Sequence, residues 1–421
     1  MKVLIITYYW PPAGGSGVQR WLKFVKYLQD FGVAPVVYTV ANPEYPVLDE
    51  TLVNEVPKNI QILKQPIWDP TDLLFWKGKN KHKTAISSLN KGGFFSFIRG
   101  NFFIPDPKIF WVRKSVNYLH KYLQSNKVDV IISTGPPHST HLIAQKLHQK
   151  NTIKWIADFR DPWTDLYYNA NFKQTSFAKK RNKKLETLVL KNADCVLTVS
   201  HTLKKEFSKT AQQVEVITNG FDDEFVKLPP QNREQQFTIS YIGLLPKESN
   251  PIVLFKVLKK LCAQDPQFSE DLTLNFIGDI APEVKQEVAI QGLTEKVTFI
   301  GRVSHEKAIA YQQKAQVLLL LIPNVTKAEG ILTGKIFEYL MAKRPILAIG
   351  PETGDLATLL KDTRAGVVVD YAHEERLTLE IEKQYKAYRE GSLQVTPVNI
   401  AKFHRRELTK KLASLLKNIN Q

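Results

Sequence analysis

The chain has 421 residues, of which 43% are hydrophobic and 24% charged, enough apolar mass for sizeable cores and too ordinary a charge content for a disordered tail protein. Lysine and arginine number 58 against 41 aspartate and glutamate, and the formal net charge of +17 points to an anionic partner surface. The two cysteines, Cys195 and Cys262, lie far apart, which excludes a disulfide framework and a cysteine-based zinc site and fits a reducing compartment.

The chain opens with MKVLIITYYWPPAGGSG. Its apolar run is short and ends in Pro11-Pro12 and a glycine cluster, with no small-residue cleavage site, so it reads as a first strand entering a tight loop rather than a secretory signal. The longest aliphatic run, Val317 to Ile322, falls far short of the roughly 20 residues of a membrane-spanning helix. These features predict a cytoplasmic protein.

Short Val/Ile-rich runs then alternate with helix-length amphipathic segments. In the first half they begin at Lys2, Ala34, Ile60, Val128, Ile153, Cys195 and Val214. Consecutive apolar positions are what strands buried on both faces of a parallel sheet require. Between the first two, Val18, Trp21, Leu22, Val25 and Leu28 form one helical stripe. The polar, proline-containing stretch 228–236 reads as a linker. The alternation restarts with runs at Phe237, Leu272, Val297, Val317, Pro345 and Ala365. This pattern predicts an α/β chain of two Rossmann-like doubly wound domains, 1–228 and 237–396, facing across a cleft.

Ligands of such sheets bind at the carboxyl ends of the strands. The loop after the first strand carries Gly14, Gly15 and Gly17 ahead of a helix, a natural anion seat, although its spacing matches neither a dinucleotide fingerprint nor a P-loop. A plain flexible turn is the alternative. The fourth strand ends in STGPPHSTHLIA, placing His138 and His141 three apart. His138 is a candidate to position an acceptor hydroxyl or a phosphate, and His141 a candidate core residue. The fifth strand ends in WIADFRDPWTD. Here Asp158, Arg160 and Asp161 cluster, with a carboxylate to orient an acceptor hydroxyl and a guanidinium for phosphate, or else a structural Asp–Arg pair holding the loop. In the second half, Gly243 permits close approach and Lys247 is placed to reach a diphosphate. The segment TKAEGILTGKIFEYLMAKRPILA puts Thr333 and Gly334 ahead of a helix carrying Lys335 and Glu338. Free amides and Lys335 suit a phosphate, and Glu338 one turn later suits the two hydroxyls of a ribose.

These residues resemble a GT-B glycosyltransferase of the large retaining group called family 4. The likeness rests on PPAGGSGVQRW, ITNGFD, YIG, GKIFEYLMAKRPILA and the tail KFHRRELTKKLASLL. The resemblance implies that a C-terminal helix, 399–421, packs back on the N-terminal domain. It implies ribose binding by Glu338, a UDP- or GDP-linked sugar donor, no cofactor and a retaining, metal-independent reaction; the sequence holds no Asp-x-Asp triplet. The family's other glutamate falls on Gly330, with Glu329 one place out of register, and Leu244 stands where many members have arginine. A nucleotide-sugar epimerase of the same architecture and a non-catalytic nucleotide-sugar-binding protein are the alternatives.

The stretch 75–127 is basic and aromatic, with eleven lysines and arginines against the single acid Asp106. Together with FAKKRNKKLETLVLK from Phe177, it suits an anionic membrane surface. That predicts a peripheral protein at the inner face of the membrane, with a lipid-linked or polysaccharide precursor as acceptor. With no helix-turn-helix or RNA-binding signature, nucleic acid is not expected as a partner.

Overall fold

The computed structural model describes all residues except 69–93, 166–172, 224–228, 230 and 421. Each expected aliphatic run is a strand. In the first half these are β1 (Lys2–Ile6), β2 (Ala34–Val40), β3 (Gln61–Gln65), β4 (Val130–Gly135), β5 (Lys154–Phe159), β6 (Cys195–Thr198) and β7 (Val214–Val216). The second half adds β8 (Phe237–Ile242), β9 (Leu272–Ile277), β10 (Val297–Ile300), β11 (Val317–Leu321), β12 (Ile346–Ile349) and β13 (Gly366–Val369).

The helices, in chain order, begin with α1 (Ser16–Leu28), α2 (Phe94–Phe102), α3 (Ile109–Ser125), α4 (Ser139–Asn151), α5 (Ser176–Asn192) and α6 (His201–Phe207). They continue with α7 (Ile252–Gln264), α8 (Pro266–Asp271), α9 (Pro282–Ile290), α10 (His305–Lys314) and α11 (Lys335–Ala342), then α12 (Asp355–Thr363), α13 (Glu374–Arg389) and α14 (Arg405–Ile419). No helix among the described residues is long and apolar enough to cross a membrane.

The chain divides into two compact units, one made of Met1–Asn219 with Arg405–Gln421, the other of Gly220–His404. The first holds a seven-stranded parallel sheet in the order β3-β2-β1-β4-β5-β6-β7, and the second a six-stranded parallel sheet, β10-β9-β8-β11-β12-β13. Strand order reverses beside β1 in one and beside β8 in the other. Alternation along the strands splits each unit into two cores, one on each side of its sheet. Leu4 and Ile6 join Tyr38, Trp111, Ile131 and Trp155. Val3 and Ile5 join Trp21, Leu22, Val25, Val130 and Ile132.

Helix α14 completes that second core: Leu408, Leu412, Ala413 and Leu416 are buried against the apolar stripe of α1, and Arg406 Nε donates to Asp30 at 3.1 Å. The unit boundary falls at Asn219/Gly220, earlier than residue 228, and the return at His404/Arg405. The reason is a clasp inside the second unit. Phe221 N donates to Phe403 O at 3.1 Å, both rings enter its core, and His404 Nε2 meets Asp223 Oδ1 at 3.1 Å. The expected linker also behaves as part of this unit where it is described, with Glu234 N bonded to Lys314 O and Arg233 Nη1 to Leu393 O.

The basic, aromatic stretch is divided. Residues 75–93 lie outside the described residues. Beyond them Trp111 stacks on Tyr38 at 5.1 Å in the core, whereas Phe97, Phe102 and Phe110 are exposed. The Leu412→Ala variant should destabilise the protein by about 2–5 kcal/mol, since a fully buried leucine between two helices leaves a cavity; a lowered denaturant midpoint at unchanged slope checks this.

Candidate functional site

In the first unit the ends of β1, β4 and β5 bring the expected residues together. The chain leaves β1 through Gly14, whose N–H donates to Val47 O at 2.9 Å, and reaches Gly15 at φ 103°, a conformation that favours glycine. Gly15 is the N-cap of α1 and supplies no side-chain cap, so the first turn keeps amides available to an anion. A Cβ on Gly17 would lie 1.7 Å from Arg160 Nη1, so this glycine is what allows the guanidinium against the helix start. Arg160 Nε and Nη2 donate to Gly135 O and Pro136 O at 3.1 and 2.6 Å. One arginine thereby ties the end of β4 to the first turn of α1, with Asp161 exposed beside it.

Asp158 has no accessible surface. Its Oδ1 accepts from Arg20 Nη2 at 3.0 Å, and its Oδ2 from Trp21 Nε1 at 2.7 Å and Thr134 Oγ1 at 2.9 Å. Orientation of an acceptor hydroxyl by Asp158 is therefore corrected to the structural alternative, with Arg20 rather than Arg160 as its partner. Arg20 also donates to Thr218 O at 2.8 Å, joining α1, β5 and the end of β7.

Both histidines are buried. His141 Nδ1 lies 2.8 Å from Ser133 Oγ, its ring stacks on Phe159 at 4.6 Å, and burial pushes its pKa down to about 3. It is the core residue of the two. His138 stacks on Trp163 at 4.6 Å with planes 4° apart, and neither ring nitrogen has a partner among the described residues. Burial, then the neighbouring His141 and Arg160, hold His138 well below the usual imidazole range. A neutral ring offers one donor and one acceptor. That suits a hydroxyl.

In the second unit the chemistry gathers where β8 and β11 part. Gly243 sits at φ 125°, and a Cβ there would lie 2.6 Å from Lys335 Cε, so the lysine stem crosses this glycine. Lys335 Nζ donates to Tyr241 Oη at 2.5 Å and lies 4.0 Å from the centroid of that ring. Desolvation lowers its pKa to about 7, against which Glu338 acts to raise it. Gly334 caps α11 without a side-chain bond, and Thr333 Oγ1 is buried with no partner among the described residues. One turn into the helix, Glu338 Oε1 lies 3.2 Å from His305 Nε2 while Oε2 accepts from Gln312 Nε2 at 3.0 Å. Lys247 is exposed on the turn Lys247–Ser249, Leu244 is exposed, and Gly330 is buried with Glu329 exposed next to it.

Sequence reasoning missed Arg20, Trp21, Tyr241, His305 and Gln312. The last two are seven apart on α10 and so share a face, a signal visible only once α10 is known to flank α11.

Residues 87–225 match the family model for Glycosyltransferase Family 4, and residues 236–386 the model for Glycosyl transferases group 1. Comparison with curated proteins finds no significant match. Among solved structures the chain is similar to sucrose-phosphate synthase from Thermosynechococcus elongatus, with a TM-score of 0.63 and 13% identity over 99% of this chain and 98% of that one. It is similar to the lipopolysaccharide outer core galactosyltransferase WaaB, at 0.60 and 15% over 99% and 100%. The third likeness is to Anabaena Alr3699/HepE in complex with UDP-glucose, at 0.58 and 14% over 100% and 97%.

Removing one partner of the buried Arg20–Asp158 pair leaves an uncompensated charge, so Arg20→Met should cost about 3–5 kcal/mol of stability. Asp158→Asn should destabilise in the same direction, and equilibrium unfolding of both variants measures it.

Proposed function

Starting from a chain that belongs to the GT-B glycosyltransferases of the family 4 type, we propose that it moves a sugar from a UDP- or GDP-linked donor to a lipid-linked or polysaccharide precursor. The observation that carries this reading is the start of α11. An N-terminus without a side-chain cap, a Thr333 hydroxyl with no partner among the described residues and Lys335, whose ammonium meets Tyr241 Oη, come together at this helix start, with Glu338 a turn beyond. The amides and Lys335 neutralise the leaving diphosphate, assisted by the exposed Lys247. Glu338 accepts from the ribose hydroxyls; His305 and Gln312 hold its two oxygens in place.

The first unit takes the acceptor. Neutral His138 bonds a hydroxyl, Asp161 is the exposed carboxylate of its cluster, and the Gly14–Gly17 loop with Arg160 meets negative charge. A similar structure bound to UDP-glucose supports the donor class, and similarity to a lipopolysaccharide galactosyltransferase supports the acceptor class. Retention of configuration and independence of metal belong to the same reading, since the cations and amides present supply the charge neutralisation. A location at the inner face of the membrane is supported by exposed Trp68, Phe97, Phe102 and Phe110 in and beside the basic stretch.

Calorimetry with UDP and GDP should show binding of one of them, with Glu338→Ala weakening it about tenfold or more, as expected for lost hydrogen bonds to a charged group. Binding of neither nucleotide would overturn the assignment. Isomerised sugar formed without acceptor would mark an epimerase, and tight binding without turnover of any donor a non-catalytic binder.

A bound diphosphate favours charged Lys335, so complex formation takes up a proton above pH 7. Nucleotide affinity should therefore fall as pH rises from about 7 to 9, with binding heats that depend on the buffer. Lys335→Met should bind more weakly and lose this slope.

A further inference from the structure

We propose that the outward face of α5, together with the adjacent α2, docks the first unit onto an anionic phospholipid bilayer. This rests on the lipid-linked acceptor proposed above and assigns the contact to a surface largely outside the 75–127 stretch.

Helix α5 buries Ala178, Asn182, Glu186, Val189 and Leu190. At 100° per residue, the opposite side carries Phe177, Arg181, Lys184, Leu188 and Lys191 in one stripe. Phe177 and Leu188 are 69% and 42% exposed and fall on the centre line of that stripe, with the cations to either side. Lys180, Arg181, Lys184 and Lys191 form no ion pair or hydrogen bond among the described residues. The helix's one acid, Glu186, is turned inward, where it accepts from Thr164 Oγ1 and Lys183 Nζ, each at 2.7 Å. An apolar centre line with flanking cations and no acid matches the boundary between acyl chains and anionic headgroups, where long basic side chains lay their stems on apolar surface and reach phosphate.

Two further features extend this surface. A shallow groove of about 410 Å³ along α5 is lined by Lys180, Lys183, Lys184, Thr187, Leu188 and Lys191, and presents cations around a volume that suits headgroup phosphates. At its N-terminus α5 is held against α2, with Thr175 N donating to Asn101 Oδ1 at 2.7 Å and Gln174 Nε2 to Gly100 O at 3.2 Å. Helix α2 exposes Phe97 and Phe102, the latter 71% accessible, and Arg99. Aromatic side chains of two helices thus flank one row of cations. A bilayer is favoured over nucleic acid because the most exposed groups on the stripe's centre line, Phe177 and Leu188, are apolar, and an aliphatic leucine has no stacking role with a base.

The test is flotation of the full chain with vesicles of phosphatidylcholine, alone or with about a third phosphatidylglycerol. Wild type should bind the anionic vesicles and not the neutral ones. The triple variant Lys180→Glu, Lys184→Glu, Lys191→Glu and the double variant Phe177→Ser, Leu188→Ser should each lose vesicle affinity about tenfold or more. Both should keep the wild-type melting temperature and nucleotide affinity, because every substituted side chain is exposed. Wild-type vesicle binding by the two variants would overturn the proposal, as would preference of the wild-type chain for an oligonucleotide over anionic vesicles. Loss of vesicle binding in the variants of a chain that binds no nucleotide would sustain the docking surface while removing the donor assignment.

Discussion

A parallel sheet with helices packed on both faces has no place for polar chemistry except the ends of its strands. Both units obey this constraint. Their inner positions are filled by Val, Ile, Leu and aromatic rings, so the glycines, histidines and charged groups of interest are confined to the carboxyl edge where strand order reverses. Helix starts at α1 and α11 then aim free amides at the same edge. Neither start has a capping side chain, in contrast to α5 and α10, where Thr175 and Ser304 bond into their own helices.

Two of the candidate carboxylates, Asp158 and Glu338, are physically opposite. Asp158 is enclosed by four donor groups from Arg20, Trp21 and Thr134, and its charge is neutralised inside the fold. Such a pair fixes α1 relative to β5 and sets where the Gly14–Gly17 loop begins. Glu338 remains partly accessible, with its two oxygens on the His305 imidazole and the Gln312 carboxamide. Lys335 is the complement: its ammonium rests on the Tyr241 ring and phenol oxygen, with Glu338 one turn further along the helix as a nearby negative charge.

Strand positions were legible because fully buried strands write themselves as unbroken apolar runs, and all thirteen are where those runs stand. The first turn of α11 was legible for a similar reason, since glycine, lysine and glutamate lie within one short segment. What escaped was every contact made across elements. Arg20 sits inside GVQRW, where an arginine beside a helix stripe reads as a solvated side chain; only the fold shows it turned beneath the sheet ends. His305 lies 33 residues before the glutamate it touches. The unit boundary falls ahead of the polar stretch 228–236, and the pairing of Phe221 with the distant Phe403 is a contact that composition does not show.

The chain order of these units has a consequence for synthesis. The second unit is one unbroken stretch, whereas the first is completed by α14, which follows that stretch in the chain. On the ribosome, the later unit holds all of its residues while the earlier one still lacks a wall. Until α14 emerges, the part of this core that Leu408, Leu412 and Leu416 cover stays open to solvent, an apolar surface at risk of non-native association. Closure of the N-terminal core thus waits until the whole second unit has been made.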